Sequence, residues 1–238
     1  MPPLINSFNQ PIGEIINHWL PAKQPQATDL YGHYCNLVPL DPTLHAQSLY
    51  KAICVDDGRM WTYLPYGPFD TIHSYQTWLM QYCMSKDPLF YAIIDKNTQQ
   101  AIGLASYLRI DPNNGVIEVG HIAYSPQLQR STMATEAMYL MMDYAFKLGY
   151  RRYEWKCNAL NMPSCLAAKR LGFTFEGIFR QAAVIKNHNR DTAWYSIIDT
   201  EWPTLKCTFQ TWLAPNNFDM YGQQRTSLAT ITAQTTHC

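Results

Sequence analysis

The sequence predicts a mixed α/β fold in which a largely antiparallel sheet carries helices on both faces. Three observations lead there. The strand-like runs 89–95, 101–110 and 115–124 are joined by the short polar connections Lys96–Gln100 and Asp111–Asn114, which favour hairpins. From residue 115 the pattern changes to strand, helix, strand, helix, strand, which requires a parallel crossover. An apolar fraction of 47% over 238 residues is enough to fill one large core, and no repeat or linker-like stretch divides the chain.

The elements follow in order. Residues 1–29 are broken by Pro11, Pro21 and Pro25, with one short helix expected over Ile12–Leu20. They read as an arm, laid over the domain or leading to a dimer contact. Asn36–Leu40 reads as a strand, and Asp41 or Thr43 caps a helix running to Ala52. Asp56, Asp57 and Gly58 mark a loop. Thr71–Met84 repeats Ile72, Tyr75, Trp78, Leu79 and Tyr82 at helical spacing. After the three hairpin strands, Thr132–Leu148 is an amphipathic helix. Its apolar face is Ala134, Ala137, Met138, Met141, Met142, Ala145 and Leu148, with Thr135, Glu136, Asp143 and Lys147 away from the centre of that face. Gly149 closes it.

A strand over 151–157 and a helix from Asn161 to Gly172 come next. Pro163 is tolerated in the first turn of that helix, and Lys169 and Arg170 lie in its last. Strands over 173–175, continued at 184–185, and over 192–198 flank a turn at 187–189. Residues 204–213 suit one more short helix, and the polar stretch from 215 is expected to be partly unstructured. The expected organisation is an arm at 1–29, a domain at 30–203, and a short helix with a polar tail at 204–238.

Composition narrows the function. Eighteen basic and eighteen acidic residues cancel, giving no support for a nucleic-acid glove or a polybasic membrane anchor. No apolar stretch reaches spanning length. The seven cysteines, Cys35, Cys54, Cys83, Cys157, Cys165, Cys207 and Cys238, show no CxxC pair or zinc spacing. They read as reduced thiols of a cytoplasmic protein. No convincing catalytic metal site is expected. Seven Trp and sixteen Tyr suit substrate clefts or a dimer face, although core filling is their commoner use.

The most informative run is Gln129-Arg130-Ser131-Thr132-Met133-Ala134, which opens the long helix. Amides at a helix start have no partner within the helix, and the helix dipole favours an anion there. The run is therefore either a well-capped helix or a diphosphate cradle. Two further blocks weigh for the cradle. One is Val119-Gly120-His121-Ile122-Ala123-Tyr124-Ser125-Pro126. The other is Asn161-Met162-Pro163-Ser164 followed by Ala168-Lys169-Arg170-Leu171-Gly172-Phe173 and Glu176-Gly177.

Across roughly residues 30–200 this organisation resembles the GCN5-related N-acetyltransferases, most closely the branch that includes ribosomal-protein N-terminal acetyltransferases. The family's cradle motif is Gln/Arg-x-x-Gly-x-Gly/Ala. Gln129 and Ala134 match its ends, Thr132 replaces its middle glycine, and Arg130 stands where another glycine is frequent. The resemblance implies acetyl-CoA as cofactor. Its diphosphate would lie on the amides of 130–135, with Ser131 and Thr132 adding hydroxyls and Arg130 a charge; the set is Gln129, Arg130, Ser131, Thr132, Met133, Ala134 and Thr135. The pantetheine arm would lie along Ile122, Ala123 and Tyr124, as an added strand does. Asn161 is either an arm or water ligand or a helix cap. Ser164 is the candidate proton donor to the departing thiolate.

Amine acetylation also needs a proton acceptor and a polarised thioester carbonyl. Glu118 is the first candidate base, since alternation places it on one strand face with Gly120 and Ile122 and turns His121 away. A backbone amide near Ile122 or Ala123 is the candidate for polarising the carbonyl. Trp61, Tyr63, Tyr66, Arg180 and Trp194 are candidates for the acceptor side, with Arg180 pairing to Asp191. A Cys157 or Cys165 nucleophile is a minor alternative. The expected acceptor is a primary amine on a small molecule, a peptide or a protein N-terminus, in a chain that is a candidate homodimer. The competing reading is a non-catalytic acyl-CoA sensor or an interaction protein.

Overall fold

The structure, a computed structural model, describes residues 3–54 and 57–235. In chain order the strands are β1 Leu4–Ile5, β2 Pro11–Ile12, β3 Leu30–Tyr31, β4 Cys35–Pro39, β5 Leu89–Asp95, β6 Ala101–Asp111, β7 Val116–Tyr124, β8 Arg152–Asn158, β9 Thr174–Ile185 and β10 His188–Ile198. The helices are α1 Pro42–Ile53, α2 Ile72–Tyr82, α3 Thr132–Lys147, α4 Met162–Arg170, α5 Trp202–Leu213 and α6 Leu228–Thr235. Eight strands form the central sheet in the order β3-β4-β5-β6-β7-β8-β10-β9. Every neighbouring pair is antiparallel except β7 and β8.

Strand alternation distributes the core between two layers. Phe90 and Ala92 of β5 face α1 and α2, where Leu49, Ile53, Tyr75 and Leu79 are fully buried. Tyr91 and Ile93 face the other way, toward Met138, Met141 and Met142 of α3 and Phe209 of α5. Asp41 and Asn161 cap their helices as expected, and Thr71 and Ser131 cap two more. Asp41 accepts from the Thr43 and Leu44 amides, Thr71 forms a reciprocal capping box with Ser74, Ser131 accepts from Ala134 N, and Asn161 accepts from Ser164 N. Gly149 follows α3 at φ +94°, the left-handed conformation that ends a helix.

Several expectations fail for physical reasons. The arm contains no helix over 12–20; it has the β1–β2 hairpin and then a strap. The strap is held by Trp19 Nε1 donating to Asn113 O, Lys23 N to Leu148 O and Tyr91 Oη to Gln26 O. Thr135, Glu136 and Asp143 are buried, because α3 is also covered by the β3–β4 connection and α5. Each has a polar partner. Glu136 accepts from the amides of His33, Tyr34 and Cys35, Asp143 pairs with Lys147 and Lys206, and Arg170 donates to Thr135. β9 is one continuous strand, and its hairpin tip is Lys186-Asn187, both at positive φ.

Residues 215–235 are folded. Asn217 Nδ2 donates to the carbonyls of Trp212 and Thr226, and α6 packs on α5. Among the described residues no disulfide forms, and no helix is long and apolar enough to cross a membrane. Asp56 and Cys238 lie outside the described residues.

Candidate functional site

The site begins where a strand pair comes apart. β7 and β8 are paired in parallel from Val116–Arg152 to Val119–Trp155. Beyond that pair, residues 120–124 and 156–158 run on without bonding to each other. A bulge in β7 lies just past this point. Leu104 pairs with Ala123 and Ser106 with Gly120, so His121 and Ile122 together oppose the single residue Ala105, with His121 at φ +51°.

The bulge reverses the simple alternation. Ile122 and Tyr124 turn to the α3 side and line an open groove, while Ala123 is buried on the α1–α2 side. His121 joins that second side, the side of Glu118, instead of facing away from it. Its Nδ1 is 3.0 Å from Tyr66 Oη, and its ring packs on Phe90. Burial lowers the His121 pKa below 6.5, favouring the neutral ring.

At the groove's floor α3 begins. The Ser131 hydroxyl donates to Leu128 O at 2.7 Å and accepts from Ala134 N at 3.1 Å, so it acts as a cap and has no proton left for a ligand. The amides of Arg130, Thr132 and Met133 have no protein acceptor among the described residues. Arg130 sits at φ +59°, the left-handed conformation glycine adopts freely. Gln129 Nε2 donates to Tyr124 O at 2.8 Å and ties this turn to the end of β7.

One groove of about 1550 Å³ joins these parts. That exceeds the roughly 300–1,000 Å³ of ordinary small-ligand pockets and suits an extended molecule. Ser164, in the first turn of α4, lines it. Trp155 Nε1 donates to Ser164 Oγ at 3.0 Å, so the indole takes up an acceptor site of the serine and not its proton. Asn161 Oδ1 accepts from Ser164 N at 3.3 Å; it acts as the helix cap and also lines the groove. Tyr63 Oη donates to Leu160 O, carrying the α1–α2 connection across the gap. Cys157 and Cys165 are buried, with their sulfurs 3.6 Å apart. Burial pushes the Cys157 thiol up to about 12, so it is not a thiolate at neutral pH.

The remaining expected residues lie elsewhere. Glu118 is buried on the opposite sheet face, 3.0 Å from Lys156 Nζ and 3.6 Å from Arg109 Nε. Burial raises its pKa, and the two cations oppose the shift. Trp194 belongs to the same cluster, with Lys156 Nζ 3.7 Å from its ring centroid. Trp61 is a core residue stacked edge-on with Phe69, and does not line the groove. Tyr66 is packed between Trp78 and His121. Arg180 is exposed on β9 and forms no ion pair with Asp191, which accepts instead from Gln181 N and Asn189 Nδ2.

Arg170 of α4 and, from the C-terminal segment, Trp212, Phe218, Gly222, Gln223 and Gln224 also line the groove, which the sequence pattern does not indicate. Arg170 was read only as a dipole-matching helix end, and the tail's polar composition concealed a folded wall.

A parallel strand pair that opens beside a helix start with unclaimed amides is an arrangement that suits an extended, phosphate-bearing ligand. The model of the acetyltransferase (GNAT) domain matches residues 35–174, and the chain belongs to this family of GCN5-related N-acetyltransferases. The structure superposes on that of a GCN5-related N-acetyltransferase from Brucella melitensis with a TM-score of 0.90 and 46% identity, covering 92% of this chain and 100% of that one. The chain is also 26% identical over 163 residues to the ribosomal-protein-serine acetyltransferase of Escherichia coli (strain K12), covering 66% of this chain and 89% of that one. It is 30% identical over 113 residues to the uncharacterized N-acetyltransferase p20 of Bacillus licheniformis, covering 47% of this chain and 63%, under two thirds, of that relative's length.

Proposed function

We propose that this protein is an acetyl-CoA-dependent N-acetyltransferase acting on a primary amine of a small molecule, a peptide or a protein N-terminus. The observation that carries the reading is the lapse of β7–β8 pairing beside the unclaimed amides of Arg130, Thr132 and Met133, in one groove. These residues fit acetyl-CoA. Amides backed by a helix dipole suit a diphosphate, and the unpaired edge of residues 120–124 suits an amide-bearing arm.

Acetyl-CoA supplies an activated acyl group. The chain's own groups do the rest. A backbone amide at the β7 bulge, near Ile122 or Ala123, would polarise the thioester carbonyl. Ser164, which accepts from Trp155, would give its proton to the departing sulfur. The amine must lose a proton, and two groups on the far face of β7 are candidates to take it. Glu118 is tied to Lys156 and Arg109, whereas burial favours the neutral form of His121, which has no ion pair among the described residues. We assign proton uptake to His121, with Glu118 the alternative through water.

Thiol release from acetyl-CoA against a panel of amines tests the reading. Turnover with any primary amine supports it. Tight acetyl-CoA binding without turnover across small amines, peptides and protein N-termini favours the sensor alternative, to which the Glu118–Lys156 ion pair lends some weight.

A further inference from the structure

The sheet face that carries His121 and Glu118 holds ion pairs that close among themselves and leave one cation out. Glu118 pairs with Lys156 and Arg109, Glu154 with Lys156 and Arg152, and Glu176 with Arg152. Lys156 Nζ also lies against the Trp194 ring. Strand alternation puts Thr192 of β10 on the same face as Trp194. Arg190 Nε donates to Thr192 Oγ1 at 3.2 Å, which pins the guanidinium to that face across the register shift between the two residues. Arg190 is half-buried and has no carboxylate partner among the described residues. Its neighbour Asp191 is engaged by Gln181 N and Asn189 Nδ2.

The register places this cation beside the gap. Thr192 pairs with Asn158, the last residue of β8, and β8 borders the opening. Lys186, at the tip of the β9–β10 hairpin, donates to Trp61 O at 2.8 Å. That bond ties the tip to the α1–α2 connection, whose Tyr66 meets His121. Arg190 belongs to the same hairpin, so it stands at the mouth of the gap on the His121 face. It does not line the groove assigned to acetyl-CoA, so the phosphates of the cofactor do not account for it. With Nε on a hydroxyl, both terminal nitrogens remain to take a carboxylate in a fork.

We propose that the acceptor is a primary amine that also carries a carboxylate, and that Arg190 reads the carboxylate. The amine goes to His121 and the acid group to Arg190, so a neutral analogue of the same shape is disfavoured. The zero net charge of the chain is no obstacle, because the unpaired cation is local. The proposal rests on the N-acetyltransferase reading, but its test separates the two.

Initial rates with acetyl-CoA decide it, on two pairs of amines matched in shape: γ-aminobutyrate with γ-aminobutyramide, and the peptide amide Ser-Glu-Ala with Ser-Gln-Ala. Butylamine is run beside them. The wild type is expected to show a kcat/KM roughly tenfold or more higher for the acid of at least one pair. Which pair responds tells a small molecule from a peptide chain. Arg190→Gln keeps a polar, uncharged end; it is expected to remove the ratio and leave the neutral partner nearly unchanged. Acids no faster than amides in both pairs overturn the preference and leave the N-acetyltransferase reading standing; this comparison needs no variant to fold. A ratio that survives in Arg190→Gln, or equal losses on acid and amide, overturns the role of Arg190. Turnover of butylamine alone also overturns the preference. No turnover of any of these amines overturns the acetyltransferase reading and the preference with it.

Discussion

Replacing Glu136 by Ala tests how the start of α3 is held in place. The carboxylate accepts from His33 N at 2.7 Å, Tyr34 N at 2.7 Å and Cys35 N at 2.8 Å, and Gly32 leaves room for it: a Cβ there would lie 2.5 Å from Glu136 Cδ. Hydrogen bonds to a charged group contribute about 1.5–3 kcal/mol each, so three of them set a ceiling of about 5–9 kcal/mol. The effect is smaller because His33 is exposed and Tyr34 only half-buried, and their amides regain water. Cys35 is fully buried and its amide does not. A loss of about 2–4 kcal/mol remains. For a chain of this size that lowers Tm by about 5–15 °C. Glu136→Gln, which keeps one acceptor oxygen, should fall between wild type and Ala. Thermal unfolding followed by circular dichroism reads the effect. A drop below about 2 °C for Glu136→Ala would refute the claim that this carboxylate fastens the β3–β4 connection to α3.

Three other outcomes are expected. Ser164→Ala should lower kcat roughly 10²-fold or more while leaving acetyl-CoA affinity nearly unchanged; an equal loss in both would make the serine a binding group. Arg130→Gly should raise stability by about 1 kcal/mol, since glycine relieves the left-handed backbone, while weakening coenzyme A; stronger binding measured by calorimetry would contradict the role given to the guanidinium. His121 has a lowered pKa when folded, so below about pH 6.5 the unfolded chain takes up a proton that the folded one resists, and stability falls with pH until the folded value is passed. His121→Gln should flatten that acid limb in urea titrations and remove the corresponding limb of the kcat/KM profile, whereas Glu118→Gln should leave both in place.

Local signals carried most of the fold. Asp41, Thr71, Ser131 and Asn161 are short polar side chains just before apolar periodicity, and each caps the helix it precedes. The opening between β7 and β8 was expected from the resemblance, and its location matches. The bulge at His121 and Ile122 was not legible, because one inserted residue leaves the apolar pattern intact and only shifts which side each later residue faces. That single slip misplaced both Ile122 and His121. Burial of Thr135, Glu136 and Asp143 was equally hidden. Polar residues suggest a wet helix face, and the partners that make burial tolerable are mostly distant in sequence: the Tyr34 and Cys35 amides for Glu136, Lys206 for Asp143 and Arg170 for Thr135. The continuity of β9 escaped notice because its residues are mostly exposed and two register shifts interrupt its pairing with β10. The C-terminal segment is held in part by a buried amide, Asn217, which composition cannot distinguish from a solvated one.

The account stands most directly on where acetyl-CoA lies. A crystal of the protein grown with acetyl-CoA should show the diphosphate on the amides of Arg130, Thr132 and Met133, with the arm running along residues 120–124 and the sulfur near Ser164 Oγ. Density for the ligand elsewhere, or an empty groove at saturating ligand with β7 and β8 drawn together, would contradict it.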